Sequence, residues 1–132
     1  MKEISLILKN VPGQLAEVAD ICAAEGINIR GMCVAETEHI SLLRLVVDDL
    51  DAAHDALKDR FPVGIKEVVE VEVPNKPGAL SNIAKVFAAA GVNIDYAYVA
   101  VAPDGKRDTL ILRVDKINIA VQTLKEKHIR VY

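Results

Sequence analysis

The chain contains two copies of one sequence pattern, and this repeat restricts the possible folds more than any other feature. Residues 10–15 read NVPGQL, and residues 75–80, which lie 65 positions later, read NKPGAL. Residues 26–29 read GINI and recur at the same spacing as GVNI at residues 91–94. A spacing that is constant across two separate motifs indicates a duplicated structural unit rather than chance similarity.

The duplication continues to the end of each copy, with one small insertion. Asp48 and Asp115 correspond at a spacing of 67 residues, so two residues were inserted upstream of them. We assign the insertion to residues 103–106, where Asp-Gly is typical of a hairpin turn, opposite the shorter residues 37–39. A hairpin loop tolerates such a change in length.

Each copy predicts the same order of elements: strand, helix, two strands in a hairpin, helix and short strand. Apolar residues at helical spacing begin at Leu15 and Leu80, and Gly26 and Gly91 follow as helix ends. The second helices are expected to begin at Asp48 and Asp115, with these side chains as N-caps. The expected strands are residues 4–8, 28–36, 41–47 and 63–67, and then 69–73, 93–102, 109–114 and 129–132.

This order, βαββαβ, predicts an α+β fold made of two ferredoxin-like domains, each an antiparallel sheet with helices on one face. We expect the domains at residues 1–67 and 68–132. A unit of about 65 residues buries only about 60% of its unfolded surface and is marginally stable alone. Because strands such as residues 41–47 are apolar on both faces, we expect close pairing of the repeats and a homodimer of chains.

Composition narrows the classes of function. The 132 residues carry a formal net charge of −3, whereas nucleic-acid-binding proteins usually present a concentrated basic face, so we expect no nucleic-acid partner. The first apolar run ends at Pro12 and is too short for a signal peptide or a membrane span, which predicts a cytoplasmic protein with no membrane partner. Cys22 and Cys33 are expected to be buried thiols rather than a redox pair.

The repeated motifs suggest a binding site for a zwitterion. A Pro-Gly turn between a strand and a helix exposes the N–H groups of the first helical turn, which favour a carboxylate. Asn10 and Asn75 add amides that can donate to a carboxylate or accept from an ammonium, as could Asn28 and Asn93. The alternative is structural, since asparagine before Pro-Gly can cap the helix and asparagine after glycine can complete a turn.

Both halves of the chain resemble ACT domains, the small ligand-binding modules that regulate amino-acid metabolism. The resemblance rests on the NxPGxL and G(I/V)NI motifs, each present twice in βαββαβ context. The whole chain resembles the stand-alone tandem ACT proteins of prokaryotes. That resemblance implies that a free amino acid binds between the strand–helix loop of one domain and the second-strand start of a neighbouring domain. The implied ligand-binding residues are Asn10, Val11, Pro12, Gly13, Gln14, Leu15, Asn28, Ile29, Asn75, Lys76, Pro77, Gly78, Ala79, Leu80, Asn93 and Ile94.

The two copies differ at one position that bears on the ligand. Arg30 follows the first GINI motif and Asp95 follows the second, so the two sites are not equivalent. As a hypothesis, Arg30 favours a carboxylate and Asp95 an ammonium; the alternative is that both are solvated charges on an edge strand. The hydrophobic residues expected around the site favour an apolar, aromatic or imidazole side chain; they are Val11, Ile29, Met32 and Ile94.

Two other classes of function remain as alternatives. An enzyme would need a phosphate-binding loop, a nucleophile with its base, or a cluster of metal ligands, and no such pattern is found. The three histidines are scattered. We therefore expect no enzyme activity, no cofactor and no metal site. The other alternative is an interaction module that docks a metabolic enzyme without any ligand; the sequence does not identify that enzyme.

Overall fold

The computed structural model describes all residues, 1–132, as two compact units. One unit comprises Lys2–Lys66, and the other comprises Met1 with Glu67–Tyr132. The predicted domain boundary after residue 67 stays a prediction. None of the helices has the length and apolar character needed to cross a membrane.

The first unit has the predicted βαββαβ order. Its elements are β1 (Lys2–Lys9), α1 (Gln14–Ala24), β2 (Ile29–Glu36), β3 (Ile40–Val47), α2 (Leu50–Leu57) and β4 (Val63–Glu67). The strands lie in the order β4-β1-β3-β2, and β3 pairs antiparallel with both β1 and β2. Every strand predicted for this copy is present, with ends that shift by one or two residues.

The second unit repeats this arrangement except for its last strand. Its elements are β5 (Val69–Glu72), α3 (Ala79–Ala89), β6 (Ile94–Val101), β7 (Asp108–Val114) and α4 (Ile117–Glu126), with the strands in the order β6-β7-β5. The strand expected at residues 129–132 is reduced to one bridge between Val71 and Val131. Backbone hydrogen bonds from Glu72 to Arg130 and from Tyr132 to Glu70 flank that bridge, but no second pair extends it into a ladder.

Each unit buries its own core between the sheet and its two helices. Alternating residues of β1 and β3, such as Leu6 and Leu43, pack on Val18 and Cys22 of α1 and on Leu57 of α2. In the second unit, Phe87 of α3 and Leu124 of α4 occupy the equivalent layer over Val71 and Leu112. These cores confirm the predicted α+β class, and burial raises the pKa of the Cys22 thiol, as expected for an inert core cysteine.

The helices following β1 and β5 bury a narrower stripe than their apolar pattern indicates. Val18 and Cys22 are buried in α1, whereas Leu15 is 42% exposed. In α3, Leu80 is 59% exposed. Both leucines stand in the first helical turn, beside the repeated Pro-Gly motif, so they are available to a ligand.

The predicted N-caps of the second helices are wrong in both copies. Asp48 instead accepts a hydrogen bond from the backbone N–H of Asn28 over 2.9 Å, and Asp115 does the same for Asn93. Asp49 caps α2 by accepting from the Ala52 N–H. Asp48 and Asp115 do not cap the second helices, because their carboxylates bind the backbone N–H groups of the turns that lead into the second strands.

Candidate functional site

The loops between the first strand and first helix of each unit have the same backbone conformation. Gly13 and Gly78 precede α1 and α3 with φ angles of 91° and 86°, in the left-handed region. A residue with a Cβ is strained there, which explains why glycine follows proline in both copies. The repeated glycine is therefore required by the backbone turn itself.

Neither of these helices has a side-chain cap at its N-terminus. Gly13 and Gly78 occupy the cap positions and have no side-chain oxygen to accept from the N–H groups of the first turn. Those groups and the helix dipole create a partial positive charge that favours a carboxylate. The asparagines of the motif do not cap the helices, so this structural alternative for Asn10 and Asn75 is excluded.

The two motif asparagines differ in their contacts. The Nδ2 atom of Asn10 donates to the backbone carbonyl of Thr37 over 3.1 Å, and its backbone N–H donates to the carbonyl of His39. These bonds fix the first loop to the β2–β3 hairpin. Asn75 is exposed, and its side chain makes no hydrogen bond within the chain. It borders a cavity.

This cavity lies beside the uncapped end of α3 and has a volume of ≈ 320 Å³. Its apolar wall is formed by side chains from the segment after β5 and from α3, β6 and β7, including Leu80, Val99 and Leu110. Four polar residues border it: Thr109, whose hydroxyl donates to Glu70, and Asn75, Lys76 and Asp108, whose side chains can contact a ligand. Four of the residues predicted from the second copy line this cavity, namely Asn75, Lys76, Ala79 and Leu80.

The first unit also has a cavity near its strand–helix loop, but its position relative to the motif differs from that of the cavity in the second unit. It measures ≈ 450 Å³, and Gln14 is the only residue of the motif at residues 10–15 that lines it. The rest of its lining comes from β1 and Ile40, from Glu17, and from the segment Arg60, Phe61 and Pro62 that leads into β4. Gln14 accepts a hydrogen bond from the Lys9 N–H, and Glu17 pairs with Arg60. Its polar lining therefore consists of the ion-paired Glu17 and Arg60, the folded-back Gln14, and Lys9.

The predicted second-strand residues do not join the loop residues within a unit. The β1–α1 loop follows Lys9, which pairs with Ile40 at one end of β3, whereas Ile29 pairs with Val47 at the other end. Seven residues of strand separate those ends, which corresponds to about 20 Å. Within a single unit, the loop residues and the second-strand residues therefore do not form one site.

The second-strand residues also have structural roles of their own. Asn28 and Asn93 bind Asp48 and Asp115 through their backbone N–H groups, as described above. Ile29 and Ile94 are half-buried against the core of their unit. The Asp95 carboxylate accepts a hydrogen bond from the side chain of Asn93 over 3.0 Å.

A network of charges lies at the hairpin of the second unit. Arg107 donates to Glu72 and to Asp104, and the Tyr132 hydroxyl also donates to Glu72 over 2.9 Å. The Tyr132 hydrogen bond, followed by the positive charges of Arg107 and Arg130, holds the pKa of Glu72 below its ordinary value. Asp108 follows Arg107 in the chain but takes no part in this network, although both border the space beside Asn75.

Asp108 and Val99 were not predicted as site residues. Both lie in the second hairpin, and their approach to the Asn75 loop depends on the pairing of β5, β6 and β7. The sequence shows the insertion in that hairpin, but a difference in loop length does not indicate which side chains face the cavity. No group of three or more His, Cys, Asp or Glu side chains could hold a metal ion.

Comparison with protein families gives two matches within the chain. The ACT domain family model matches residues 2–57 and residues 68–127, and together these ranges cover most of the sequence. They coincide with the two units of the structure. No curated protein sequence matches the chain significantly.

Solved structures of similar fold agree with this assignment. Protein BT0572 from Bacteroides thetaiotaomicron has 36% sequence identity and a TM-score of 0.90, over 99% of this chain and 90% of that one. The regulatory subunit of aspartate kinase from Thermus thermophilus, in a ligand-free form, has 18% identity and a TM-score of 0.68, over 95% and 90%. The same subunit from Thermus flavus has 17% identity and a TM-score of 0.62, over the same shares. The duplicated βαββαβ units and the family matches together establish that this chain belongs to the ACT domain family and carries two ACT domains in tandem.

Proposed function

We propose that this chain is a regulatory protein that binds a free amino acid at the strand–helix loop of an ACT domain. The observation that carries the proposal is the ≈ 320 Å³ cavity beside the uncapped N-terminus of α3. ACT domains are regulatory modules for small molecules such as amino acids. The chain therefore acts by binding and not by catalysis.

The chemistry of the cavity fits an amino acid. First-turn N–H groups suit the carboxylate, while Asn75 and Asp108 offer oxygens to the ammonium. Leu80 and Val99 offer an apolar wall to the ligand side chain. Ligand cavities typically measure about 300–1,000 Å³, so this one suits a small molecule. An apolar, aromatic or imidazole side chain remains our expectation.

Micromolar affinity is attainable in such a site. A dissociation constant of about 1 μM corresponds to about −8.2 kcal/mol. Divided over about nine heavy atoms, this is about −0.9 kcal/mol per atom. That value is smaller in magnitude than the limit of about −1.5 kcal/mol per atom for small ligands.

A complete site requires a second ACT domain, because one unit places its loop and its second-strand start at opposite ends of the sheet. We propose that Asn28, Ile29, Asn93 and Ile94 contribute to sites whose loops belong to a neighbouring domain. Self-association is the simplest source of that neighbour, and we propose a homodimer. Exposed apolar residues on β2 and β6, including Val34 and Val99, offer it a surface. Sedimentation equilibrium tests this: a mass near one chain at micromolar concentration contradicts it.

Regulation follows from a site completed by two domains. A ligand that contacts both stabilises only the arrangement that completes the site, and it shifts the population by its difference in affinity for the two arrangements. The regulated partner in this proposal is a metabolic enzyme of unidentified class. The two cysteines are not bonded to each other, as suits the reducing cytoplasm where we place the protein.

The second candidate function is an interaction module without a ligand. The observation that favours it is the exposure of Leu80 and Val99, at 59% and 63%, on one side of the second unit. Such apolar side chains could contact a partner enzyme directly. The two functions differ in one respect that is simple to measure, since only the first requires binding of a small molecule.

Thermal unfolding of the purified protein with each of the twenty amino acids at millimolar concentration distinguishes them. A ligand at 100 times its dissociation constant adds about 2.7 kcal/mol to the free energy of unfolding, which raises the Tm of a small domain by several degrees. We expect one or a few amino acids to do so. The control is Asn75→Ala, which should reduce the shift; no shift with any amino acid favours the interaction module.

A further inference from the structure

We propose that the two repeats are not equal sites and that the amino acid binds only at the strand–helix loop of the second repeat. In this assignment, Lys76 and the first turn of α3 bind the ligand carboxylate, and Asp108 binds its ammonium. The inference rests on the proposed function, and it adds which repeat binds and which charges hold each end of the ligand.

The first observation is that two opposite charges border one cavity without being used elsewhere. Lys76 lies on the loop before α3, and Asp108 lies at the start of β7. Neither side chain forms a hydrogen bond or an ion pair within the chain. The neighbouring Arg107 bonds to Glu72 and Asp104 instead. Both side chains are exposed, and a zwitterion offers each of them an opposite charge: its carboxylate to Lys76 and its ammonium to Asp108.

The second observation is that the first repeat lacks both charges. Val11 stands at the position of Lys76, and Ser41 stands at the position of Asp108. The strand register supports the second match, because Ser41 pairs with Glu36 and Asp108 pairs with Val101, the counterpart of Glu36. Glu36 does not replace the carboxylate of Asp108 in the first repeat. Its counterpart in the second repeat, Val101, does not line the cavity, so we do not expect the side chain at this position to reach a ligand.

The third observation concerns the space beside the helix end. Ala79 begins α3 and lines the cavity of the second repeat, whereas its counterpart Gln14 carries a long side chain. Gln14 folds back onto the Lys9 N–H over 3.3 Å. The small alanine leaves room beside the uncapped helix end that the glutamine of the first repeat occupies.

Exchange of the two charged residues for those of the first repeat tests the assignment. The probe is whichever of the twenty amino acids stabilises the wild-type protein, and its dissociation constant is measured by isothermal titration calorimetry. We expect Lys76→Val and Asp108→Ser each to weaken binding by about 10- to 100-fold, as is typical of the loss of a charge-assisted hydrogen bond. The matched control is Lys85→Val, which removes an exposed lysine of α3 that does not line the cavity and should change the affinity by less than about twofold.

A derivative of the probe separates the two roles. The N-acetyl derivative lacks the ammonium, so Asp108→Ser should not weaken its binding further, whereas Lys76→Val still should. Lys76→Gln and Asp108→Asn provide a second pair of variants that keep the size of each side chain. Tm values without ligand establish that every variant is folded.

The outcomes separate this inference from the function on which it rests. Loss of affinity in the Lys76 and Asp108 variants with an unchanged Lys85→Val supports the inference. If an amino acid binds the wild type but both charge variants bind it equally well, the inference is overturned and amino-acid sensing stands. If no amino acid binds the wild type, both are overturned.

Discussion

The side-chain amide of Asn10 donates to the backbone carbonyl of Thr37 over 3.1 Å and thereby joins the first strand–helix loop to the β2–β3 hairpin. Asn75 holds the same position in the second repeat, where the hairpin is two residues longer, and makes no such bond. One asparagine therefore supports the fold, and the other is available to a ligand. Identical motif residues have acquired different roles.

Alanine substitution at these two positions should have different effects on stability. We expect Asn10→Ala to lower the free energy of unfolding by about 1 kcal/mol, because a hydrogen bond between two elements is lost. Asn75→Ala should change it by less than about 0.5 kcal/mol, as is usual for an exposed residue without partners. Urea unfolding without ligand measures both values. An equal loss in the two variants would contradict the different roles.

Substitution of the glycine at either helix start should be costly although space is available. Apart from the glycine and its two chain neighbours, no atom lies within 4 Å of the position that a Cβ would occupy at Gly13 or Gly78, so the cost comes from the positive φ angle. We expect Gly13→Ala to destabilise the protein by about 1–2 kcal/mol. Gly13→Asn is the control, because asparagine tolerates this conformation better, and it should cost less. If alanine and asparagine cost the same, φ is not the cause.

Asp48 should stabilise the turn into β2 through its carboxylate oxygen and not through its charge. Its Oδ1 atom accepts from the Asn28 N–H over 2.9 Å. We expect Asp48→Ala to lower the free energy of unfolding by about 1 kcal/mol, whereas Asp48→Asn, which keeps an acceptor, should lose less than half as much. Asp115→Ala repeats the test in the second unit. A full loss with asparagine would indicate that charge is the cause.

Acid should weaken the second unit through Glu72. The Tyr132 hydroxyl and two arginines lower the pKa of this carboxyl in the folded state, while its ordinary value is 4.5. A lowered pKa contributes stability that is fully present above the ordinary value and is lost as pH falls through the lowered one. We therefore expect the stability difference between wild type and Glu72→Gln to shrink below pH 4.5.

Tyr132→Phe is the sharper variant for this test, because the Tyr132 hydrogen bond is the largest cause of the lowered pKa. Urea unfolding at several pH values measures the effect. The stability of Tyr132→Phe should depend less on acid pH than that of the wild type. Identical pH dependence would show that the hydroxyl does not control this carboxyl.

Features that depend on neighbouring residues were easier to predict from the sequence than contacts between distant elements. The Pro-Gly turns, the helix-ending glycines and the alternation within strands each depend on a few neighbouring residues, so the fold followed from them. The approach of Asp108 to Lys76 depends on how β7 pairs with β5, and no neighbouring residue reports that. The aspartates at 48 and 115 were misread because a carboxylate after a strand can cap a helix or close a turn equally well.

The most direct test of amino-acid binding at the second repeat is a titration of isotopically labelled protein with amino acids, followed by backbone amide chemical shifts. We expect saturable shifts with one or a few amino acids, concentrated at residues 75–80 and around Val99 and Asp108. No shift with any of the twenty amino acids would contradict amino-acid binding. Shifts centred instead on Arg60 and Phe61, at the cavity of the first unit, would contradict the site assigned here.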